Sequence, residues 1–203
     1  MNFFLFSLIV ALIIQPINVI RETLLFAKQQ AQLSSIKKNK SILLLGDSLA
    51  EGMTSTFYKL AKQYGYNSIS NCRRGSGIQY WSSRIEKIIL QNKPALTLIS
   101  LGTNDAGTPS PEAQRKHIKN IKNIAIKNNV RILWILPQRL PAHFHNQDAI
   151  KRIIIEEFGD DVLDTSIELE KTSDRIHPTR EGYESWMNII WQQLVERKML
   201  IKN

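Results

Sequence analysis

The chain has 203 residues, 43% of them hydrophobic and 22% charged, with a formal net charge of +9. Those values exclude a low-complexity or disordered polymer and leave room for one well-buried domain with a short extension. The single cysteine, Cys72, excludes an intrachain disulfide, and the dispersed basic residues carry no nucleic-acid-binding motif.

Asn2 to Ile20 is strongly apolar, interrupted by Gln15, Pro16 and Asn18. Carried through to Ile20, it approaches the ~20 residues that a membrane-spanning helix needs. No Lys or Arg precedes the run and no small-residue cleavage site follows it, so an uncleaved N-terminal anchor is expected ahead of a cleaved signal or an interfacial helix. A domain facing the periplasm or cell exterior is expected. Arg21, Lys28, Lys37, Lys38 and Lys40 pull the other way, because positive charge after an anchor favours the cytoplasmic side. Residues 21–40 read as a polar stalk, and residues 41–203 as the globular domain.

From Ser41 onward short apolar strands alternate with helical patterns. Strands are expected at Ile42–Leu45, Asn67–Asn71, Ala95–Leu101, Val130–Leu136 and Asp161–Leu163. Helices are expected at Thr54–Tyr64, Tyr80–Gln91, Pro111–Lys127, Asp148–Phe158 and Glu181–Arg197. Lys116, Lys119, Lys122 and Lys127 read as a solvated helix face. The alternation predicts an α/β fold, a three-layer α/β/α sandwich around a parallel sheet, flavodoxin-like in broad topology. Ligands then belong beyond the carboxyl ends of the strands.

Four loops at such strand ends carry useful chemistry. Gly46-Asp47-Ser48-Leu49 follows the first strand, and a helix start there would aim N–H groups at a developing anion. Gly75-Ser76-Gly77 follows the second, and Gly102-Thr103-Asn104-Asp105 the third. Asp174-Arg175-Ile176-His177-Pro178 precedes the last helix. Taken singly, each has an ordinary reading: a capped βα turn, a turn-forming Asn, a surface His. Asp47 reads as structural, Asp105 as a loop or cap residue, Tyr80 and Trp81 as packing, and His117, His143 and His145 as surface residues. Arg73 and Arg139 sit in loops near the expected site, placed to hold an anionic substrate.

Together, and in this order, the four segments resemble the motif blocks of the SGNH (GDSL-type) hydrolases over about Ser41 to Val195. The glycine loop with nearby Trp81 is similar to the branch of that superfamily acting on cell-envelope glycans. The resemblance implies Ser48 as nucleophile, His177 as its base and Asp174 as the group orienting His177. It implies an oxyanion hole from the N–H groups of Ser48 and Gly77, with Gly75 as the alternative, and the Asn104 side-chain amide. The implied activity is serine ester hydrolysis through an acyl-enzyme, with no metal or cofactor. The expected partners are a small ester or an acylated envelope carbohydrate and the membrane, with no nucleic acid. Two other expectations stand beside it: an O-acetyltransferase passing the acyl group to a glycan, and a non-catalytic glycan-binding or assembly domain.

Overall fold

The computed structural model describes residues 18–28, 30, 31, 34, 36, 38–165 and 167–200. The apolar segment expected at Asn2–Ile20 lies outside these residues except for 18–20, which are helical. Helical residues continue through 28, and Val19, Ile20, Leu24, Leu25 and Phe26 are all more than half exposed. Among the described residues no helix is long and apolar enough to cross a membrane. Farther along, helical Ile36 is fully buried against the domain.

Five parallel strands form the sheet: β1 (Ser41–Gly46), β2 (Asn67–Cys72), β3 (Leu96–Ser100), β4 (Arg131–Ile135) and β5 (Val162–Leu163). Their spatial order is β2-β1-β3-β4-β5, the doubly wound order in which connections turn to opposite faces on either side of β1. The helices are α1 (Ser48–Gln63), α2 (Ile78–Ser82), α3 (Ile85–Asn92), α4 (Glu112–Lys127), α5 (Gln147–Phe158) and α6 (Arg180–Glu196).

Alternation along β1 sorts the two cores. Ile42 and Leu44 pack with Met53 and Phe57 of α1 and with Trp186, Ile190 and Trp191 of α6. Leu43 and Leu45 face the other way, toward Trp81, Ile85, Ile118, Ile121 and Ile150 from α2 to α5. A strand buried on both faces needs no polar positions, which is why β1, β3 and β4 are nearly continuous apolar runs. Each fully buried aliphatic side chain contributes roughly 1.5–3 kcal/mol.

Two expectations are corrected. The first helix begins at Ser48 rather than Thr54, because the Asp47 side chain accepts from Leu49 N at 2.9 Å and caps it. Gly52 lies inside that helix, and the Tyr183 ring occupies the space a side chain there would fill. The helix expected over Tyr80–Gln91 is two helices. At the break Arg84 N reaches Trp81 O, and Ser83 Oγ donates to Tyr80 O, drawing that carbonyl out of the helical ladder.

The basic face of α4 is solvated, as its sequence suggests: Lys116, Lys119 and Lys127 are exposed and Lys122 is half-buried. Lys127 pairs with Glu86 at 2.8 Å, Lys119 lies 3.7 Å from Glu157, and Lys122 Nζ donates to the Glu157 carbonyl.

Candidate active site

The strand order reverses between β1 and β3, so their carboxyl ends open a crevice. Ser48 enters it as the first residue of α1, directly after the Asp47 cap. The opposite wall is the loop before α6. Thr172 N donates to His177 O at 2.8 Å, Lys171 pairs with Pro178, and Thr179 caps α6 by accepting from Gly182 N at 3.1 Å. These contacts fold residues 171–179 into a tight turn with His177 paired opposite Thr172 at its neck.

Two hydrogen bonds connect the walls and the turn. Ser48 Oγ lies 2.9 Å from His177 Nε2, across 129 residues of sequence. His177 Nδ1 lies 2.7 Å from Asp174 Oδ2. With the Nδ1 proton directed at the carboxylate, Nε2 is left as the acceptor for the serine hydroxyl. Asp174 Oδ1 in turn accepts from Ile176 N at 2.8 Å and His177 N at 2.9 Å, with Thr172 Oγ1 at 2.9 Å. The His177 ring, followed by these backbone N–H groups, holds the Asp174 carboxyl well below the usual carboxylate range. The relay is open to solvent, with the His177 side chain 38% exposed and Asp174 45% exposed. Thr172 carries no sequence signal for this role.

Asn104 sits where β3 hands over to a turn. Its Nδ2 donates to Asp47 Oδ2 at 3.0 Å and to Ser76 O at 3.1 Å. One side-chain amide therefore ties together the loops after β1, β2 and β3. Gly102, just ahead, has φ +119, and a Cβ there would meet Pro137 at 2.9 Å, so glycine suits both the turn and the close packing.

The glycine loop is held from below. Ser76 Oγ donates to Arg73 O at 2.6 Å, and Trp81 Nε1 donates to Ser76 Oγ at 2.8 Å. Trp81 is buried in the core and also orders this loop. Ile78 N, at the start of α2, donates to both oxygens of Asp105 at 3.1 Å. Asp105 lies so near Gly77 that a Cβ on Gly77 would come within 2.7 Å of it. Gly75, Gly77 and Asn104 border one shallow cavity of about 490 Å³. Tyr80 also lines it, with the Arg84 and Arg73 guanidinium carbons 4.0 and 4.9 Å from its ring centre.

Two buried carboxyls support this floor. Burial pushes Asp47 up to about 6, helped by the nearby Asp105 charge and opposed by the Leu49 N–H. Burial likewise pushes Asp105 up to about 6, against the Ile78 N–H. His143 and His145 are exposed, in the loop after β4.

With this geometry in hand, the comparisons are clear on the fold. A family model described as "Protein of unknown function (DUF459)" matches residues 41–150. No curated protein matches the chain. Among solved structures, the chain is similar to the acetyl xylan esterase AlAXEase at 19% identity and TM-score 0.64, covering 76% of this chain and 99% of the other. It is similar to a GDSL-like lipase from Bacteroides thetaiotaomicron at 20% identity and TM-score 0.63, covering 79% and 90%. It is also similar to the esterase EstA from Pseudoalteromonas sp., in a structure inhibited by monoethylphosphonate, at 16% identity and TM-score 0.65, covering 78% and 98%. The shared architecture is the SGNH hydrolase fold.

Proposed function

We propose, for a chain that belongs to the DUF459 family and has the SGNH hydrolase fold, the function of a serine ester hydrolase acting through an acyl-enzyme. The observation that carries this reading is the relay itself, Ser48 Oγ to His177 Nε2 at 2.9 Å and His177 Nδ1 to Asp174 Oδ2 at 2.7 Å. As Ser48 Oγ attacks the ester carbonyl carbon, its proton passes to His177 Nε2. Asp174 stabilises the resulting imidazolium and keeps the ring aligned. Collapse of the tetrahedral intermediate breaks the bond to the alcohol oxygen, which takes the proton from Nε2. Water, deprotonated by the same nitrogen, then attacks the acyl-enzyme and releases the acid.

The oxyanion is assigned to the N–H groups of Ser48 and Gly77 and to Asn104 Nδ2. Both Asn104 N–H groups are already donated, one to the Asp47 carboxylate and one to the Ser76 carbonyl. A charged oxygen outcompetes a neutral carbonyl by about twofold in hydrogen-bond strength. The bond to Ser76 is therefore the one the oxyanion displaces or shares, while Asp47 continues to orient the amide. One donor of this kind lowers the barrier by roughly 3 kcal/mol.

An open relay gives water ready access to the acyl-enzyme, which favours hydrolysis, and the shallow cavity beside Asn104 suits a short acyl group such as acetyl. The proposed substrate is an O-acetyl ester on envelope carbohydrate. The proposed setting is membrane attachment through residues 1–20, supported by the apolar run and by exposed Val19, Ile20, Leu24, Leu25 and Phe26 behind it. Ser48→Ala tests the core of the reading. It is expected to lower p-nitrophenyl acetate hydrolysis at least 10³-fold and abolish fluorophosphonate labelling, at an unchanged melting temperature. Full activity in that variant overturns the assignment.

A further inference from the structure

The relay turn has a second wall. A cavity of about 930 Å³ runs between this turn and the loop after β4. Its lining brings four cationic side chains together, Arg139, Lys151, Lys171 and Arg175, against two carboxylates, Asp148 and Glu168. Lys151 and Lys171 are half-buried, whereas Arg139 and Arg175 are exposed. Lys171 Nζ also donates to the Arg139 backbone oxygen, which fixes it in the cleft.

The cations crowd one another. Burial holds Lys171 below its ordinary range. Asp174 opposes that shift, and Lys151 and Arg139 reinforce it. Burial lowers Lys151 too, against Asp164 and Asp148. Like charges gathered in a half-buried cleft carry an electrostatic penalty that a bound anion relieves.

A second observation is independent of charge. Arg175 has φ 59, the left-handed region that favours Gly or Asn. For another residue this backbone is strained. The turn keeps an arginine at this position, and its side chain lines the cavity two residues from His177. A third observation concerns the floor. Gln138 is 2% exposed and lines the same cavity, and its Oε1 accepts no hydrogen bond among the described residues. Its Nε2 is already committed to Thr165 O at 2.7 Å. An orphaned acceptor suits a hydroxyl donor.

From these features we infer that the groove of Arg139, Lys151, Lys171 and Arg175 binds the alcohol part of the substrate, and that this part is a hydroxylated, anionic saccharide bearing a carboxylate or phosphate. The inference rests on the ester-hydrolase reading and adds to it the charge class of the substrate. The anion lies on the cations of the groove, a sugar hydroxyl meets Gln138, and the acyl group points over the relay turn toward Ser48.

The test compares three acetylated saccharides of matched size: a galacturonate oligomer, a sugar phosphate and a neutral xylose oligomer. At low salt, kcat/KM for at least one anionic ester is expected to exceed the neutral one tenfold, and which arm shows it identifies the anion. At about 0.5 M salt that preference is expected to shrink severalfold. The double variant R139Q/R175N, with Asn suited to the left-handed backbone, is expected to lower the ratio at least fivefold. A wild-type ratio near one, or a ratio the double variant does not move, overturns the inference. Should no ester be hydrolysed, p-nitrophenyl acetate included, the hydrolase reading fails by itself. The groove is then judged by calorimetry of the Ser48→Ala protein with unacetylated galacturonate oligomer and with inorganic phosphate. Binding lost on adding R139Q/R175N supports the anion site, and absence of binding to both overturns it.

Discussion

Asn104 and Asp47 act as one unit. The Asp47 carboxylate caps α1 through Leu49 N at 2.9 Å and holds Asn104 Nδ2 at 3.0 Å. Asp47→Asn retains a carbonyl for the cap but turns a second amide donor toward Asn104. It is expected to lower kcat by about tenfold or more with little change in KM. Asn104→Ala removes the proposed oxyanion donor, with an expected loss near 10²-fold in kcat for short esters. The pair also titrates. Burial places Asp47 at about 6, so below that pH the carboxyl takes up a proton and its charge no longer holds the amide. The Asn104 side-chain NH₂ resonances are expected to shift with a midpoint near pH 6 in the wild type and to stay flat through that range in D47N. Asp174 has the opposite sign: its carboxyl is held low, so the stability it lends is present above the ordinary carboxylate range and is lost as pH falls through its folded value.

Contacts between elements decide the next scale. The joint of α1 and α6 passes through Gly52, where an added Cβ would stand 2.2 Å from the Tyr183 ring. Helix propensity alone gives Gly52→Ala a gain of about 1 kcal/mol. Overpacking against a half-buried ring costs about 1–3 kcal/mol, so the net expectation is a lower melting temperature. Adding Tyr183→Ala is expected to recover part of the loss, which a double-mutant cycle by thermal unfolding measures. These contacts also show where sequence reading stops. The helix start at Ser48 was hidden because Gly46 and Gly52 flank it like turn residues. What permits α1 to run through Gly52 is an aromatic ring from residue 183, a non-local fact. The basic stripe on α4, by contrast, reads as a solvated face and is one, with Glu86 and Glu157 reaching its exposed lysines from α3 and α5.

At the scale of the molecule, the fold class was legible because strands buried on both faces declare themselves as short apolar runs. The positions of Ser48, Asn104 and His177 were legible because each stands at a strand end or at the last helix, where doubly wound sheets gather their polar residues. The strand order is the flavodoxin-like one expected from the alternation, whereas the second groove was not legible. Arg139, Lys151, Lys171 and Arg175 come from three separate stretches, and no spacing joins them. Nor does sequence reveal that Asp47 and Asp105 are buried close enough to feel each other. Both carboxyls are pushed up to about 6, so the folded protein binds protons there that the unfolded chain has released, and stability declines as pH rises from about 4 to 6. Asp105→Asn keeps an acceptor for Ile78 N and removes one of these charges. The difference in melting temperature between D105N and wild type is expected to move in the variant's favour as pH is raised from 4 to 7.

The Asp47 cap has a practical corollary. Because one carboxylate secures both the first turn of α1 and the Asn104 amide, local fraying there would unseat Ser48 and the proposed oxyanion hole in a single event. Deuterium uptake at the Leu49 amide thus serves as a gauge of active-site assembly. A ligand that seats in the hole should slow that one exchange rate more than those of its helical neighbours.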